Sequence, residues 1–213
     1  MRGRLITLEG VEGVGKSTVV PVVKDFLLDR GVEVLHTREP GGTELGEQLR
    51  DVLLNTDQEI VPKAELLLMF AARAQHVEKV VAPALESGTW VLCDRFTDAS
   101  FAYQGAGRKL GTDSVAVIEK WLLGSMNADL TLLLDASRET SLDRTKRRRE
   151  LDRIETEGDE FFERVRQAYL ERAKMYPQRI KVIDANPDIE TVSASLRTQL
   201  EASCGDWLSA HVS

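Results

Sequence analysis

The chain predicts an α/β fold, a five-stranded parallel sheet with helices on both faces, on three observations. Short apolar runs alternate with amphipathic helical stretches, the rhythm of parallel βαβ units. The 213 residues are 42% hydrophobic, enough to bury a core, and no repeat or low-complexity linker divides them, so a single domain over 1–213 is expected. A glycine-rich turn follows the first strand and opens the first helix.

The elements follow in order. Arg4 to Glu9 (RLITLE) reads as the first strand, and a helical pattern runs from Lys16 until Gly31 supplies a stop. Pro21 falls in the second turn rather than at the first position, so a local distortion is expected there. Val32 to His36 is the second strand. Arg38 to Thr43 (REPGGT) is a loop, and Thr43 caps a helix over Glu44 to Leu54. Pro62 suits the first turn of a long helix from Lys63 to Leu85, which Gly88 ends. Thr89 to Asp94 (TWVLCD) is a third strand, apolar on both faces. Helical segments follow at about Ser100 to Gln104 and Asp113 to Leu123, then a fourth strand, Asp129 to Asp135, and a helix from about Ser137. TKRRRELDRIETEG, about 145–158, is too charged for a core and reads as a solvent-facing lid. Phe161 to Tyr176 is helical, Arg179 to Asp184 is the fifth strand, and Ile189 to Glu201 is the last helix, with the final dozen residues expected to fray.

The chain carries 28 basic and 35 acidic residues, a formal charge of −7. That balance argues against a general binder of nucleic acid or of a membrane surface, which needs positive faces. A local basic cluster can still hold a phosphorylated small molecule. The longest apolar runs, such as Leu66 to Ala72, fall far short of the roughly 20 residues that cross a bilayer. Cys93 and Cys204 follow no metal-ligand or paired spacing, and MRGRLITLEG lacks the apolar stretch of a signal peptide. A reducing cytoplasm is the expected compartment.

Gly10 to Ser17 (GVEGVGKS) fits G-x-x-x-x-G-K-[ST] without a gap, between a strand and a helix. Glycines let backbone N–H groups converge on phosphate oxygens, and the helix start adds a favourable dipole. The candidate ATP cradle is therefore Gly10, Val11, Glu12, Gly13, Val14, Gly15, Lys16, Ser17 and Thr18. Lys16 suits the β- and γ-phosphates, and Ser17 suits Mg²⁺. Asp94, ending VLCD, is a second candidate metal residue, reaching the ion through water. A turn-capping aspartate is the plain alternative, and Asp135 ends another apolar strand in the same manner. A phosphate loop names a triphosphate, not a reaction.

Ligand crevices in open parallel sheets form at the carboxyl ends of strands. Arg38 follows the second strand, Arg95 follows the third, and Arg73 lies on the long helix. Guanidinium forks match phosphate geometry, so Arg38 and Arg95 suit an acceptor phosphate. Any one alone is better read as a surface ion pair; beside a phosphate loop, their joint placement reverses that. Phe70 and Arg73, at i and i+3, offer a ring to stack on a base and a donor for a base carbonyl, although a Phe on a Leu-rich helix is usually core. Ser100, Tyr103 and Gln104 share another helical face and present a hydroxyl, a ring and an amide. Lys146, Arg147, Arg148, Arg149 and Arg153 gather five positive charges in eight residues. Most suit a solvated face, yet phosphoryl transfer spreads negative charge, and an arginine closing over it stabilises that charge. Arg153 is the first choice for this finger and Arg149 the second.

With these residues in place, the chain resembles the thymidylate kinases. LEGVEGVGKST, TREPGGT, LLLMFAARAQH, DRFTDASFAYQGAGR and the LDRIE segment stand in the family's order and spacing and cover most of residues 4 to 165. The resemblance implies a P-loop NTPase fold of the nucleoside monophosphate kinase type. It also implies transfer of the γ-phosphoryl group of ATP to dTMP with Mg²⁺, giving dTDP and ADP for dTTP synthesis, by a homodimer. By the same resemblance Lys16 and a lid arginine are catalytic, and Glu9 lies near the acceptor sugar and the metal. Arg38 and Arg95 bind the dTMP phosphate, Phe70 stacks on thymine, and Arg73 donates to its O4. Ser100 and Gln104 complete the base edge, and Tyr103 lies against the deoxyribose where a 2′-hydroxyl would go. The phosphate loop has Glu12 and Val14 rather than arginine, which resembles the bacterial type that keeps its finger in the lid. Family members often have Ser before the base-contacting position; this chain has Ala99 followed by Ser100, and the contact is carried to Ser100. Two other readings stand beside this one: the same chemistry on another phosphorylated acceptor, and a GTPase-type switch. The switch wants an N-K-x-D motif, and Asn127-Ala128-Asp129 is the nearest approach.

Overall fold

The computed structural model describes residues 2–146 and 152–212. Five parallel strands form one sheet in the order β2 (Val34–Arg38), β3 (Trp90–Asp94), β1 (Leu5–Glu9), β4 (Leu130–Asp135), β5 (Ile180–Asp184). β1 is buried throughout. Its Ile6 and Leu8 enter one core with Val19 and Val23 of α1 (Lys16–Leu28), while Leu5 enters a second with Val91 and Cys93. Alternate side chains thus meet opposite apolar layers, which is why the strands read as continuous apolar runs. From central β1 the chain crosses to the edge strand β2, returns to β3 beside β1, and then passes to the other side through β4 and β5, leaving a crevice at the carboxyl ends of β1 and β3.

Most elements lie where the sequence puts them. Thr43 caps α2 (Glu44–Leu54), its hydroxyl accepting from the Gly46 N–H at 3.0 Å. Pro62 opens α3 (Pro62–His76) at its first turn. Helices α6 (Thr112–Leu123) and α8 (Asp159–Met175) match within two residues. β2 is shifted: it runs on to Arg38, because the ladder with β3 pairs Val34 with Trp90 and continues to Arg38 opposite Asp94. Arg38 is therefore the last strand residue rather than the first of the loop.

Helix α1 runs unbroken through Pro21. Pro21 and Ser17, whose carbonyl loses its helical partner, are both exposed, so water can satisfy that carbonyl. The long helix is interrupted instead near Pro83. A π turn spans Val77–Val81 before α4 (Ala82–Glu86), with the Ala82 N–H donating to Val77 O. Pro83 has no N–H for the carbonyl four residues back, and the wider turn absorbs the register change. A second π segment, Phe101–Gly107, follows α5 (Thr97–Ser100) and carries Tyr103 and Gln104.

Two expectations are overturned. The described residues at the end of the chain do not fray: after α7 (Arg138–Lys146) and α8, α9 runs Ile189–Val212. Cys204 is fully buried, Leu208 packs in the core, and Trp207 meets the edge of Trp90 at 6.1 Å. The charged lid is not wholly solvent-facing either. Ile154 is only 6% exposed and belongs to the main core, so one apolar residue docks a segment whose average composition is polar.

Candidate active site

The phosphate loop leaves β1 through three glycines at positive φ: Gly10, Gly13 and Gly15. At Gly10 the need for glycine is double. Its φ of 136° is unfavourable for other residues, and a Cβ there would lie 2.4 Å from the Leu134 carbonyl of β4. The Lys16 ammonium donates to the carbonyls of Gly10 and Val11, each at 3.2 Å. Burial, then the charge of Arg95, lowers its pKa. Gly13, Gly15, Lys16 and Ser17 line a cavity of about 150 Å³ together with Arg38 and Asp94. Asp94 Oδ1 is buried with no hydrogen-bond partner among the described residues. The competing Asp135 is gripped at both oxygens by Arg166, at 2.6 and 2.8 Å, and does not line this cavity.

A second cavity of about 460 Å³ adjoins the first. Arg73, Ser100, Tyr103 and Gln104 line it, and Glu12, Glu39, Arg50 and Arg95 line both. Arg95 marks the junction. Its Nη1 donates to Gly10 O at 2.8 Å and to the Tyr169 hydroxyl at 3.1 Å, and its Nη2 to Glu12 Oε1 at 2.5 Å and the Tyr103 hydroxyl at 3.1 Å. Its backbone sits at φ 69°, an uncommon conformation outside glycine.

Arg73 is 3% exposed. Its Nε donates to Glu39 Oε2 at 2.6 Å, its Nη1 to Ser100 Oγ at 2.9 Å and its Nη2 to Phe96 O at 2.9 Å. Gln104 Nε2 donates to Glu65 Oε1 at 2.8 Å. The structure therefore brings Arg73, Arg95, Ser100, Tyr103 and Gln104 to one cavity and Lys16, Ser17, Arg38 and Asp94 to its neighbour.

Other candidates sit elsewhere. Phe70 does not line the larger cavity; it is 2% exposed in a core with Leu66, Phe101 and Val115. Met69 lines the cavity instead, because on this helix the i−4 neighbour of Arg73, not the i−3, faces the crevice. The Phe70 ring backs the Arg73 guanidinium at 4.7 Å. Glu9 is fully buried and lines neither cavity. It accepts from the Phe96 N–H at 2.7 Å and the Tyr169 hydroxyl at 2.6 Å. Burial, and next the nearby Asp98, raises its pKa to about 7, and the Tyr169 hydroxyl that donates to it also accepts from Arg95. Arg38 is half exposed and pairs with Glu47 at 2.9 Å.

Arg153 lines neither cavity. Its Nε donates to Leu53 O at 2.9 Å and its Nη2 to Glu65 Oε2 at 2.5 Å, whereas its neighbours Asp152, Ile154 and Glu155 form a wall of the larger cavity. Arg147, Arg148 and Arg149 lie outside the described residues. Sequence reasoning missed Arg50, Met69, Glu39 and Glu65. Arg50 had a signal: an arginine two turns into the helix that the glycine loop starts, donating to Pro40 O of that loop at 2.9 Å. Burial, then Arg38, lowers its pKa from the ordinary arginine value.

Known proteins of one family are similar to this chain over nearly its full length. The thymidylate kinase family model matches residues 8–196. A thymidylate kinase of Nitrosospira multiformis is 53% identical over 200 residues, covering 94% of this chain and 98% of that protein. One from Neisseria meningitidis is 48% identical over 205 residues, 96% of this chain and 100% of that one. The crystal structure of thymidylate kinase from Ehrlichia chaffeensis superposes with a TM-score of 0.76 at 30% identity, covering 94% of this chain and 99% of that chain. A P-loop crevice joined through arginines to a second pocket, and relatives that match it end to end, establish that the chain belongs to the thymidylate kinase family.

Proposed function

We propose that this single domain transfers the γ-phosphoryl group of ATP to dTMP, giving dTDP and ADP, in dTTP synthesis. The observation that carries the reading is Arg95, lining both the phosphate-loop cavity and the larger cavity beside it. The donor triphosphate lies on the loop amides and Lys16. The acceptor phosphate lies against Arg95, with Arg38 and Arg50 on its flank. That phosphate is already a deprotonated nucleophile near neutral pH, so positioning and charge neutralisation carry the reaction. Glu12 holds one Arg95 nitrogen in this structure, and a phosphate competes for it.

The base reading follows from donors. Arg73 uses three of its five N–H groups on protein oxygens. A remaining N–H suits a carbonyl at the pyrimidine 4-position and not the amino group of cytosine. Ser100 and Gln104 complete that edge, Met69 offers a polarisable thioether to the ring face, and Tyr103 stands against the sugar. Ser17 and Asp94 would hold Mg²⁺. Both are hard oxygen donors, and the unpartnered Asp94 Oδ1 fits that role. The ion, when bound, neutralises phosphate charge. ADP formation measured across nucleoside monophosphates tests the whole reading. dTMP is expected to be the best acceptor, with activity lost on chelating Mg²⁺; equal rates with dTMP, UMP, dCMP and AMP would overturn it.

A second copy of the chain is the expected partner. Trp121 and Val117, one turn apart on α6, are 85% and 70% exposed, and Leu67 on the adjoining α3 is 60% exposed. Apolar residues this open on neighbouring helices suit a helix-packed dimer. Sedimentation is expected to give twice the chain mass for the native protein and the chain mass for Trp121→Glu with Val117→Glu; a native monomer at micromolar concentration removes the inference. No described helix is long and apolar enough to cross a membrane. The cytoplasm suits its buried free cysteines, Cys93 and Cys204, and recovery of activity in the membrane or secreted fraction would count against that.

A further inference from the structure

Behind the arginine assigned to the pyrimidine lies a buried relay of side chains that no step of the transfer uses. Glu39 Oε2 accepts from Arg73 Nε at 2.6 Å, and Glu39 Oε1 accepts from His76 Nδ1 at 2.9 Å. A carboxylate accepts only, so Nδ1 carries the hydrogen. The other ring nitrogen, Nε2, meets Thr37 Oγ at 2.7 Å. His76 is fully buried, and Glu39, Arg73 and Thr37 are all under a tenth exposed. The relay thus runs from β2 through α3 to the loop and back to α3. It is closed by packing as well. A Cβ on Gly42 would lie 2.5 Å from His76 Cδ2 and 2.7 Å from Thr37 Oγ, so the glycine loop rests directly on the ring.

Cys93 Sγ also comes within 4.8 Å of the Glu39 and His76 ligand atoms, a spacing that admits a metal. The bonding argues otherwise: both Glu39 oxygens and both His76 nitrogens already have partners, one of them the cationic Arg73. Hydrogen bonds, not an ion, account for this cluster.

We propose that His76 is a positioning residue for base recognition. By holding Glu39 from behind it fixes the plane of the Arg73 guanidinium, and through that plane the discrimination between a carbonyl and an amino group at the pyrimidine 4-position. Arg73 and Glu39 both line the acceptor cavity, whereas His76 lines neither cavity. The inference rests on the proposed acceptor, and the wild-type comparison of dTMP with dCMP tests that reading first.

Two substitutions separate the ring's two nitrogens. The amide nitrogen of His76→Asn stands near Nδ1 and can still donate to Glu39, while that of His76→Gln stands near Nε2 and cannot. His76→Asn, which loses only the Thr37 bond, is expected to raise KM for dTMP no more than about threefold. His76→Gln is expected to raise it about tenfold, with a matching fall in the dTMP over dCMP preference and with kcat and KM for ATP unchanged. Equal behaviour of the two variants, or kcat and both KM values moving together, overturns the proposal in favour of packing alone. Thr37→Val leaves the ring packed and serves if the His76 variants do not fold. A rise in KM for dTMP of about threefold supports the relay, and an unchanged value overturns it.

Discussion

Replacing Arg95 by Ala is expected to lower kcat/KM for dTMP by about 10³-fold, the loss typical of removing a preorganised charged donor from a developing anionic centre. The structure concentrates four hydrogen bonds on this guanidinium, two on each terminal nitrogen. In the proposed complex an acceptor phosphate takes the place of the Glu12 carboxylate. Lysine supplies the charge but only one point of attachment, so Arg95→Lys should recover no more than about a tenth of the lost activity. The backbone offers a control. At φ 69° an L residue bears a cost of about 1 kcal/mol that glycine does not. Arg95→Gly should therefore be as inactive as Arg95→Ala and unfold at a higher temperature. Steady-state kinetics and thermal unfolding read the two effects separately. Activity of Arg95→Ala within tenfold of wild type would move the junction of the two sites elsewhere.

What could be read from the sequence depended on whether the signal was local. Strands β1 and β3 were legible because each is a short apolar run bounded by turn residues, and the phosphate loop because its spacing is rigid. The far end of β2 was not. Thr37 and Arg38 are polar, and they become strand only because β3 offers backbone partners as far as Asp94. The end of α9 was hidden for the same reason: Cys204 and Leu208 matter through a core formed by distant elements. Composition averaged over the lid concealed Ile154, a single buried residue among charges.

In the site, the residue types were legible and some orientations were not. Ser100, Tyr103 and Gln104 reach one cavity as their spacing suggested, and Arg73 joins them there without Phe70. Phe70 illustrates the limit. Residues three and four positions before Arg73 are both its helical neighbours, and only the packing of α3 decides that Met69 faces the crevice and Phe70 the core. Buried carboxylates were missed altogether, because Glu39 and Glu65 act through arginines that are remote in sequence.

Those carboxylates redistribute the work of the lid arginines. Glu65 accepts from Gln104 at 2.8 Å and from Arg153 at 2.5 Å, tying the base-edge amide to the segment whose Ile154 and Glu155 wall the acceptor cavity. Removing Arg153 should therefore loosen the acceptor site more than it slows the chemistry. For Arg153→Ala we expect KM for dTMP to rise about tenfold and kcat to fall less than threefold, as for loss of a charged hydrogen bond that supports binding. The finger then falls to Arg149, the other candidate in the charged run. Arg149→Ala is expected to lower kcat about 10²-fold or more with KM for dTMP little changed, because an arginine that meets only the migrating charge stabilises the transition state and not the bound acceptor. The two variants differ in which kinetic constant moves, so a single steady-state comparison decides between them. A large fall in kcat for Arg153→Ala at unchanged KM would mean that the bond to Glu65 opens when both nucleotides are bound, and that Arg153 is the arginine that closes over the transferred phosphoryl group.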